Sequence, residues 1–328
     1  MLINSGLQFS SVKERPLIAI SGCLAGQKVR HDGRNAPFPS AADKWLNFFE
    51  LLPLCPEIGC GMTVPRGETK LIRSEGKISL VDSVSMVDYT ANMVNYAQTQ
   101  ADFLIDSDIC GFIFKRGSAS CGLEHLPVVN QASNVSDVNG KGLFATVFTT
   151  LNPHVPVIEE HRLRNPMQAE HYLARVRFYK QWLMYGKNGW TESKIRQFHH
   201  NSRYFFLSRV PQLVLTLEKL IDSLEETPTH CETIALEYMT KAQKGLNVVS
   251  KKGQIANTME LVLSRFSNYL TNTEKQEVIE QIHAFRTGDL PRSVPLSILE
   301  KYHQRYTIDD KSVDMFITSI PLEINIDS

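Results

Sequence analysis

Hydrophobic and polar positions are arranged in two different ways along this chain, and the change falls near residue 160. In the first part, short apolar runs end abruptly in small and polar residues. Pro16–Ile20 runs into Ser21-Gly22-Cys23, Leu51–Leu54 ends on Cys55, and Gly111–Lys115 leads into Gly117-Ser118-Ala119-Ser120-Cys121-Gly122. Runs of this length bounded by turn residues predict buried strands. Between them, Ala41–Glu50 has helical spacing, with Trp45, Phe48 and Phe49 on one face and Ser40 as its N-cap. Leu71–Arg73 and Ile78–Val81 flank Glu75-Gly76 as a β-hairpin, and Tyr89–Ile105 has the pattern of a long amphipathic helix. Thr146–Thr150 closes a further helix, Val155–Ile158 reads as a strand, and Gln131–Asn139 as a polar loop.

Alternating strands and helices predict an α/β domain over residues 1–160, with an open, mostly parallel, Rossmann-like sheet and helices on both faces. Such sheets bind ligands in the crevice at the carboxyl ends of their strands. Cys23, Cys55 and Cys121 each follow a strand, so the topology would gather them at one edge. From His161 onward the period becomes helical, with Tyr172, Val176, Tyr179 and Leu183 on one stripe and Leu213, Leu217, Leu220 and Leu224 on another. With breakers at Gly186–Gly189, Pro211, Pro228, Gly245, Gly253, Gly288 and Pro291, residues 161–328 read as an all-α domain of six or seven helices in a bundle. His161–Pro166 is the expected boundary.

Composition adds two constraints. The chain has 328 residues, 42% hydrophobic and 21% charged, with zero formal net charge, so nothing global points to a polyanionic partner. Locally, residues 161–209 carry ten Lys/Arg against Glu170 and Glu192. The first fifteen residues lack the apolar core of a signal peptide, and no apolar run reaches the roughly 20 residues that span a bilayer. A cytoplasmic protein is expected, without a membrane partner. In that compartment its six cysteines are thiols or metal ligands rather than disulfides.

The spacings Cys23-x31-Cys55 and Cys55-x65-Cys121, with Cys60 close behind Cys55, fit neither a zinc ribbon nor a ferredoxin signature. Cysteine is also a common small core residue, a reading that suits Cys110 and Cys231. The other three lie in loops of different character. Arg30, His31 and Asp32 follow Cys23, Glu57 stands two residues after Cys55 with Arg66 beyond it, and Lys115-Arg116 precede Cys121. Cationic, accessible surroundings of this kind favour thiolates, so lowered thiol pKa values are expected.

Residues Cys23–Gly33, Cys55–Arg66 and Lys115–Gly122 resemble the three signature motifs of the thiouracil desulfidase family, within a stretch of about residues 16–158. The resemblance implies a 4Fe-4S cluster with three cysteine ligands, Cys23, Cys55 and Cys121, and one open iron that takes the sulfur of a thiocarbonyl. It implies Glu57 as the catalytic carboxylate and Ser118 as the assisting hydroxyl. The implied reaction converts C=S to C=O on a thiolated pyrimidine base or nucleotide, releasing sulfide without net electron transfer. Two positions depart from the family: Ala119 stands where proline is usual, and Cys60 where no cysteine is usual. The helical half is similar to an accessory domain of unknown function, on the strength of His161–Pro166, Phe285–Gly288 and Val294–Leu296.

Arg30, Arg66, Lys115 and Arg116 are candidates for binding the phosphate of a thionucleotide, with salt bridges as the alternative. The stretch 162–209 interleaves arginines and lysines with Phe178, Trp182, Trp190, Tyr204 and Phe205, which suits nucleic acid; an amphipathic helix pair with aromatics in its core fits better. Two other function classes stay open. One is a cysteine-nucleophile hydrolase using Cys121 or Cys55 with His31 or His125. The other is a non-catalytic metal-bearing protein that binds nucleic acid.

Overall fold

The structure, a computed structural model, describes residues 15–319 apart from 41–42, 134, 225–226 and 307–308. Contacts divide it into two units, one formed by the residues up to Asn152 with Val157–Arg164, the other by Pro153–Pro156 with the residues from Asn165.

In the first unit β1 (Leu17–Ser21) is followed by α1 (Asp43–Leu46), β2 (Glu50–Leu54), α2 (Pro56–Gly59), β3 (Thr69–Ser74), β4 (Lys77–Asp82) and α3 (Thr90–Asp106). Then come β5 (Gly111–Phe114), β6 (Leu126–Asn130), β7 (Ser136–Gly140), α4 (Leu143–Leu151) and β8 (Val157–Glu159). Four strands form an all-parallel sheet in the order β2-β1-β5-β8, with Ile18 opposite both Leu51 and Gly111. Its central strands, β1 and β5, read as continuous apolar runs because both their faces are covered. The chain moves one way from β1 to β2 and the other way to β5 and β8. Right-handed crossovers therefore put α1 opposite α3 and α4, and the order reverses between β1 and β5. Phe112 and Phe114 of β5 stack at 3.9 Å and meet Phe144 and Phe148 of α4, all four fully buried. Each aromatic contact of this kind contributes about 0.5–1.5 kcal/mol beyond area burial.

A second four-stranded sheet, β4-β3-β6-β7, contains the expected β3–β4 hairpin together with β6 and β7, which the sequence did not suggest. Its hairpin turns at Glu75 and Gly76, both with positive φ, as a type I′ turn requires. β7 takes up the last four residues of the stretch read as a polar loop; Ser136, Asp137 and Asn139 have poor strand propensity and are held by pairing with β6. The helix expected over Ala41–Glu50 is also corrected. Its first two residues lie outside the described ones, and the helical turns end at Leu46, because Glu50 already pairs with Leu17. Trp45 and Phe49 are nonetheless buried.

After a 3-10 turn at Glu160–Arg164, the second unit holds α5 (Pro166–Gly186), α6 (Glu192–Leu207), α7 (Gln212–Asp222), α8 (Pro228–Gly245), α9 (Lys252–Ser264), α10 (Asn272–Thr287), α11 (Ser293–Tyr306) and α12 (Lys311–Thr318). Among the described residues this is eight helices rather than six or seven. Side-chain caps start five of them: Asn165, Thr191, Thr227, Asp310 and, with Glu274 in a capping box, Thr271. Of the aromatics of the basic stretch, Phe178, Trp182, Tyr204 and Phe205 are core residues, and half-buried Trp190 stacks on Trp182. Phe178 stacks on Phe205 at 4.6 Å, Trp182 on Tyr238 at 5.2 Å, and Phe198 is fully buried between them. They are not free to stack on bases, so the amphipathic alternative is the one observed. No helix among the described residues is long and apolar enough to cross a membrane.

Candidate active site

Three neighbouring strands deliver the three loop cysteines to one place. Cys23 lies two residues beyond β1, Cys55 directly after β2, and Cys121 in the loop that leaves β5. All three line a single cavity of about 200 Å³ at the carboxyl edge of the parallel sheet, together with Arg30, His31, Glu57, Lys115, Arg116, Ser118 and Ser120. It sits where the strand order reverses, the position at which open α/β sheets bind ligands.

The Cys121 loop is held from behind. Gly142 N–H donates to Gly122 O at 2.7 Å, Leu143 N–H to Ala119 O at 3.0 Å, and Ala145 N–H to Ser120 O at 3.1 Å. The otherwise unpaired amides at the start of α4 are thus satisfied by carbonyls of the site loop. A Cβ on Gly142 would fall 2.5 Å from Ser120 O, so only glycine permits this approach. On the other side, Ser21 Oγ accepts from Lys115 N–H at 3.0 Å, tying the end of β1 to that of β5.

Glu57 projects from α2 and is the hub of the polar wall. Ser120 Oγ donates to its Oε1 at 2.8 Å, with Thr69 Oγ1 at 3.3 Å and Ser118 Oγ at 3.5 Å. Ser118 and Ser120 hydroxyls are 2.9 Å apart, and Ser118 Oγ also accepts from Cys121 N–H at 3.2 Å. The result is a hydroxyl chain from Ser118 through Ser120 to Glu57. Arg66 pairs with the other carboxylate oxygen; its side chain is 5% exposed, against 15% for Glu57. Arg66 also donates to Thr63 O and Val29 O. It is not among the cavity-lining residues but stands behind Glu57.

The other cations are differently placed. Lys115 Nζ bonds Glu160 Oε1 at 2.6 Å, and Arg116 N–H bonds Glu160 Oε2 at 2.7 Å, so one buried carboxylate anchors that segment. Arg30 lies 3.4 Å from Asp32, and His31 Nε2 is 3.3 Å from Glu68. Arg30, His31, Lys115 and Arg116 keep a place in the cavity lining. Cys60 does not line it; its buried Sγ lies at the end of α2, 3.3 Å from Glu57 O.

The expectation of lowered thiol pKa values is overturned. Burial pushes Cys23 up to about 11, Cys55 and Cys121 are likewise raised chiefly by desolvation, and negative charge adds to the shift, from a Cys55 thiolate at Cys23 and Cys121 and from Glu57 at all three. Lys115 and Arg30 offset only part of this at Cys23. Three thiolates on one cavity, Cys121 buried and Cys23 and Cys55 half-buried, would repel one another and need a cationic centre to hold them. Among the described residues, no three His, Cys, Asp or Glu side chains converge tightly enough for a single ion.

Sequence reasoning missed Ser120, Thr69 and Glu160. Ser120 was within the quoted motif, and its i−1 position beside Cys121 was the available signal. Glu160 was hidden at the end of a three-residue strand.

Residues 18–160 match the family model described as 2-thiouracil desulfurase, in agreement with the resemblance carried by the cysteine loops. Residues 203–321 match a model described as a protein of unknown function, DUF1722. A solved structure described as a [4Fe-4S]-dependent thiouracil desulfidase, TudS, is 28% identical over 45% of this chain and 93% of that one, with a TM-score of 0.36. No curated protein matches.

Proposed function

Proceeding from a first unit that matches the 2-thiouracil desulfurase family over residues 18–160, we propose that this chain is a desulfidase that replaces the sulfur of a thiolated pyrimidine with oxygen. Cys23, Cys55 and Cys121 would hold a 4Fe-4S cluster, leaving one iron without a protein ligand. The observation that carries the reading is the convergence of these three thiols with Glu57 and its serine chain on one cavity. Bound there, the cluster would supply a soft, Lewis-acidic iron for a thiocarbonyl sulfur.

The protein's own groups account for the proton traffic. Glu57 Oε1 is the acceptor at the end of the Ser118–Ser120 hydroxyl chain, so it can take a proton from water through either hydroxyl. Arg66 fixes the carboxylate from behind and keeps Oε1 turned to the serines. Ser118 and Ser120 each donate once, and the backbone N–H of Cys121 holds Ser118 in register with the ligand loop. Arg30, Lys115 and Arg116 border the cavity and would receive the phosphate if the substrate is a nucleotide.

The cysteine-nucleophile alternative lacks a partner base: among the described residues no imidazole is hydrogen-bonded to any of the three thiols, and His31 is directed at Glu68. The test is anaerobic reconstitution of the full chain with iron and sulfide, followed by sulfide release from 2-thiouracil, 4-thiouracil and their nucleotides. The expected protein is brown and active on at least one of them. A reconstituted chain with a full iron complement that releases no sulfide from any would refute the reading.

A further inference from the structure

The segment Gly117–Gly122 holds no side chain larger than that of cysteine, so side-chain packing alone cannot fix its course. Its middle is bonded to the start of α4 through the carbonyls of Ala119, Ser120 and Gly122. Its two ends are held from another direction, by consecutive carboxylates where β8 stops. Glu160 accepts from Lys115 Nζ at 2.6 Å and from Arg116 N–H at 2.7 Å, where the chain leaves β5. Glu159 Oε1 accepts from Leu123 N–H at 2.8 Å, directly after Gly122. Arg162 then pairs with Glu124, one residue further on.

Neither glutamate lines the cavity. The side chains of Glu159 and Glu160 are 2% and 8% exposed, and His161 Nδ1 lies 3.3 Å from Glu159 Oε2. Burying two carboxylates in succession is costly, and apolar residues could fill the same space at less cost. β8 is an edge strand that sets Glu159 opposite Phe114, the last residue of β5. The chain turns at Glu160 into the 3-10 segment. That turn lets two neighbouring side chains serve one loop, where a continuing strand would send them to opposite faces.

We propose that Glu159 and Glu160 are positioning residues of the candidate active site: they clamp both ends of the loop that presents Ser118, Ser120 and Cys121. The clamp sets where that thiol and those hydroxyls stand relative to Cys23, Cys55 and Glu57. Its effect on turnover rests on the desulfidase reading; the clamp itself belongs to the chain without metal.

The test has two parts. In the first, the full chain without metal is labelled with iodoacetamide, and each cysteine is followed by mass spectrometry. Cys121 is 5% exposed, so it becomes reachable when the loop moves. Removing the charge-assisted bonds at either end should speed its labelling by about tenfold or more, in Glu160→Ala and in Glu159→Ala. Cys110, buried in the core of the same unit, should label at the wild-type rate, which separates movement of the loop from loss of the fold. Should an alanine variant fail to fold, Glu160→Gln decides: it keeps an acceptor for Arg116 N–H but gives up the ion pair with Lys115, and faster labelling confined to Cys121 is expected. In the second part, the reconstituted variants are assayed for sulfide release from thiouracils. Turnover per iron should fall by about tenfold or more while KM changes less, as displacement of reacting groups predicts. Labelling of Cys121 at the wild-type rate in the glutamate variants would overturn the clamp, whether or not the chain is a desulfidase. Faster labelling with unchanged turnover per iron would overturn the positioning role. An iron-loaded wild type that releases no sulfide would refute the desulfidase reading, and the labelling would still decide the clamp.

Discussion

Replacing Glu57 by glutamine isolates the carboxylate's chemistry from its structural part, and the geometry says how far the two can be separated. The amide oxygen can take the place beside Arg66, leaving the NH₂ towards Ser118, Ser120 and Thr69, whose hydroxyls can turn and accept. Arg66 keeps its two carbonyl partners, Thr63 O and Val29 O. What is lost is one charge-assisted bond on a mostly buried pair, worth about 1.5–3 kcal/mol of stability. What is lost chemically is the proton acceptor, which for a general base corresponds to about 10²–10⁴-fold in turnover. The assay is sulfide release at saturating thiouracil under anaerobic conditions, normalised to iron content, with the absorbance near 400 nm as the check on cluster loading. Normal iron with turnover within about threefold of wild type would show that water is activated elsewhere. Loss of iron along with activity would make Glu57 a support of the cysteine loops instead.

Cys23→Ala, Cys55→Ala and Cys121→Ala should each fail to assemble a full cluster, whereas Cys231→Ala, in the core of the other unit, should load iron as wild type does; iron and acid-labile sulfide analysis decides. Cys60→Ser should leave cluster content and turnover nearly unchanged, because Cys60 does not line the cavity, and a variant that gains activity would mean that Cys60 caps the open iron. Burial holds His154 at a pKa of about 4 and His171 at about 3, so the unfolded chain binds more protons below about pH 6.5. Their contribution is complete above that pH and is lost as pH falls towards 4, by up to about 1.4 kcal/mol per pH unit for each histidine. Urea unfolding across this range should show a shallower slope for His171→Gln than for wild type, and equal slopes would remove His171 from the account.

Where burial follows from local pattern, the sequence was a good guide. β1 and β5 are covered on both faces, so they read as uninterrupted apolar runs, and the cysteines that follow β1, β2 and β5 could be placed along one edge before any coordinates. The Glu75-Gly76 hairpin was legible because a turn with two positive φ values leaves few choices of residue. β6 and β7 were not legible, since Asp137 and Asn139 have poor strand propensity and are held by β6, which is itself placed by pairing with the distant β3. The thiols were misjudged for a related reason. Arg30 and Lys115 are adjacent in sequence and were weighed, but the burial that dominates the shift is a property of the closed fold. Ser120 lay in plain view inside a recognised motif, yet its place between Ser118 and Glu57 depends on the loop's curvature. In the second unit, where aromatic and basic residues interleave along the helices, the amphipathic reading favoured from the sequence holds, with Phe178, Trp182 and Phe205 facing inward.

The amides that open α4 and the carbonyls of the loop carrying Cys121 belong to one cooperative opening unit. For Ala119, Ser120 or Gly122 to leave its place, the first turn of α4 must give up its bonds, while Phe144 and Phe148 hold the rest of that helix on β5. Hydrogen exchange at Gly142, Leu143 and Ala145 therefore times the excursions of the ligand loop. Slow exchange there before any metal is added would mean that the chain presents a finished edge for the metal group to enter. Fast exchange that slows on loading would mean that the incoming group itself completes the end of the helix.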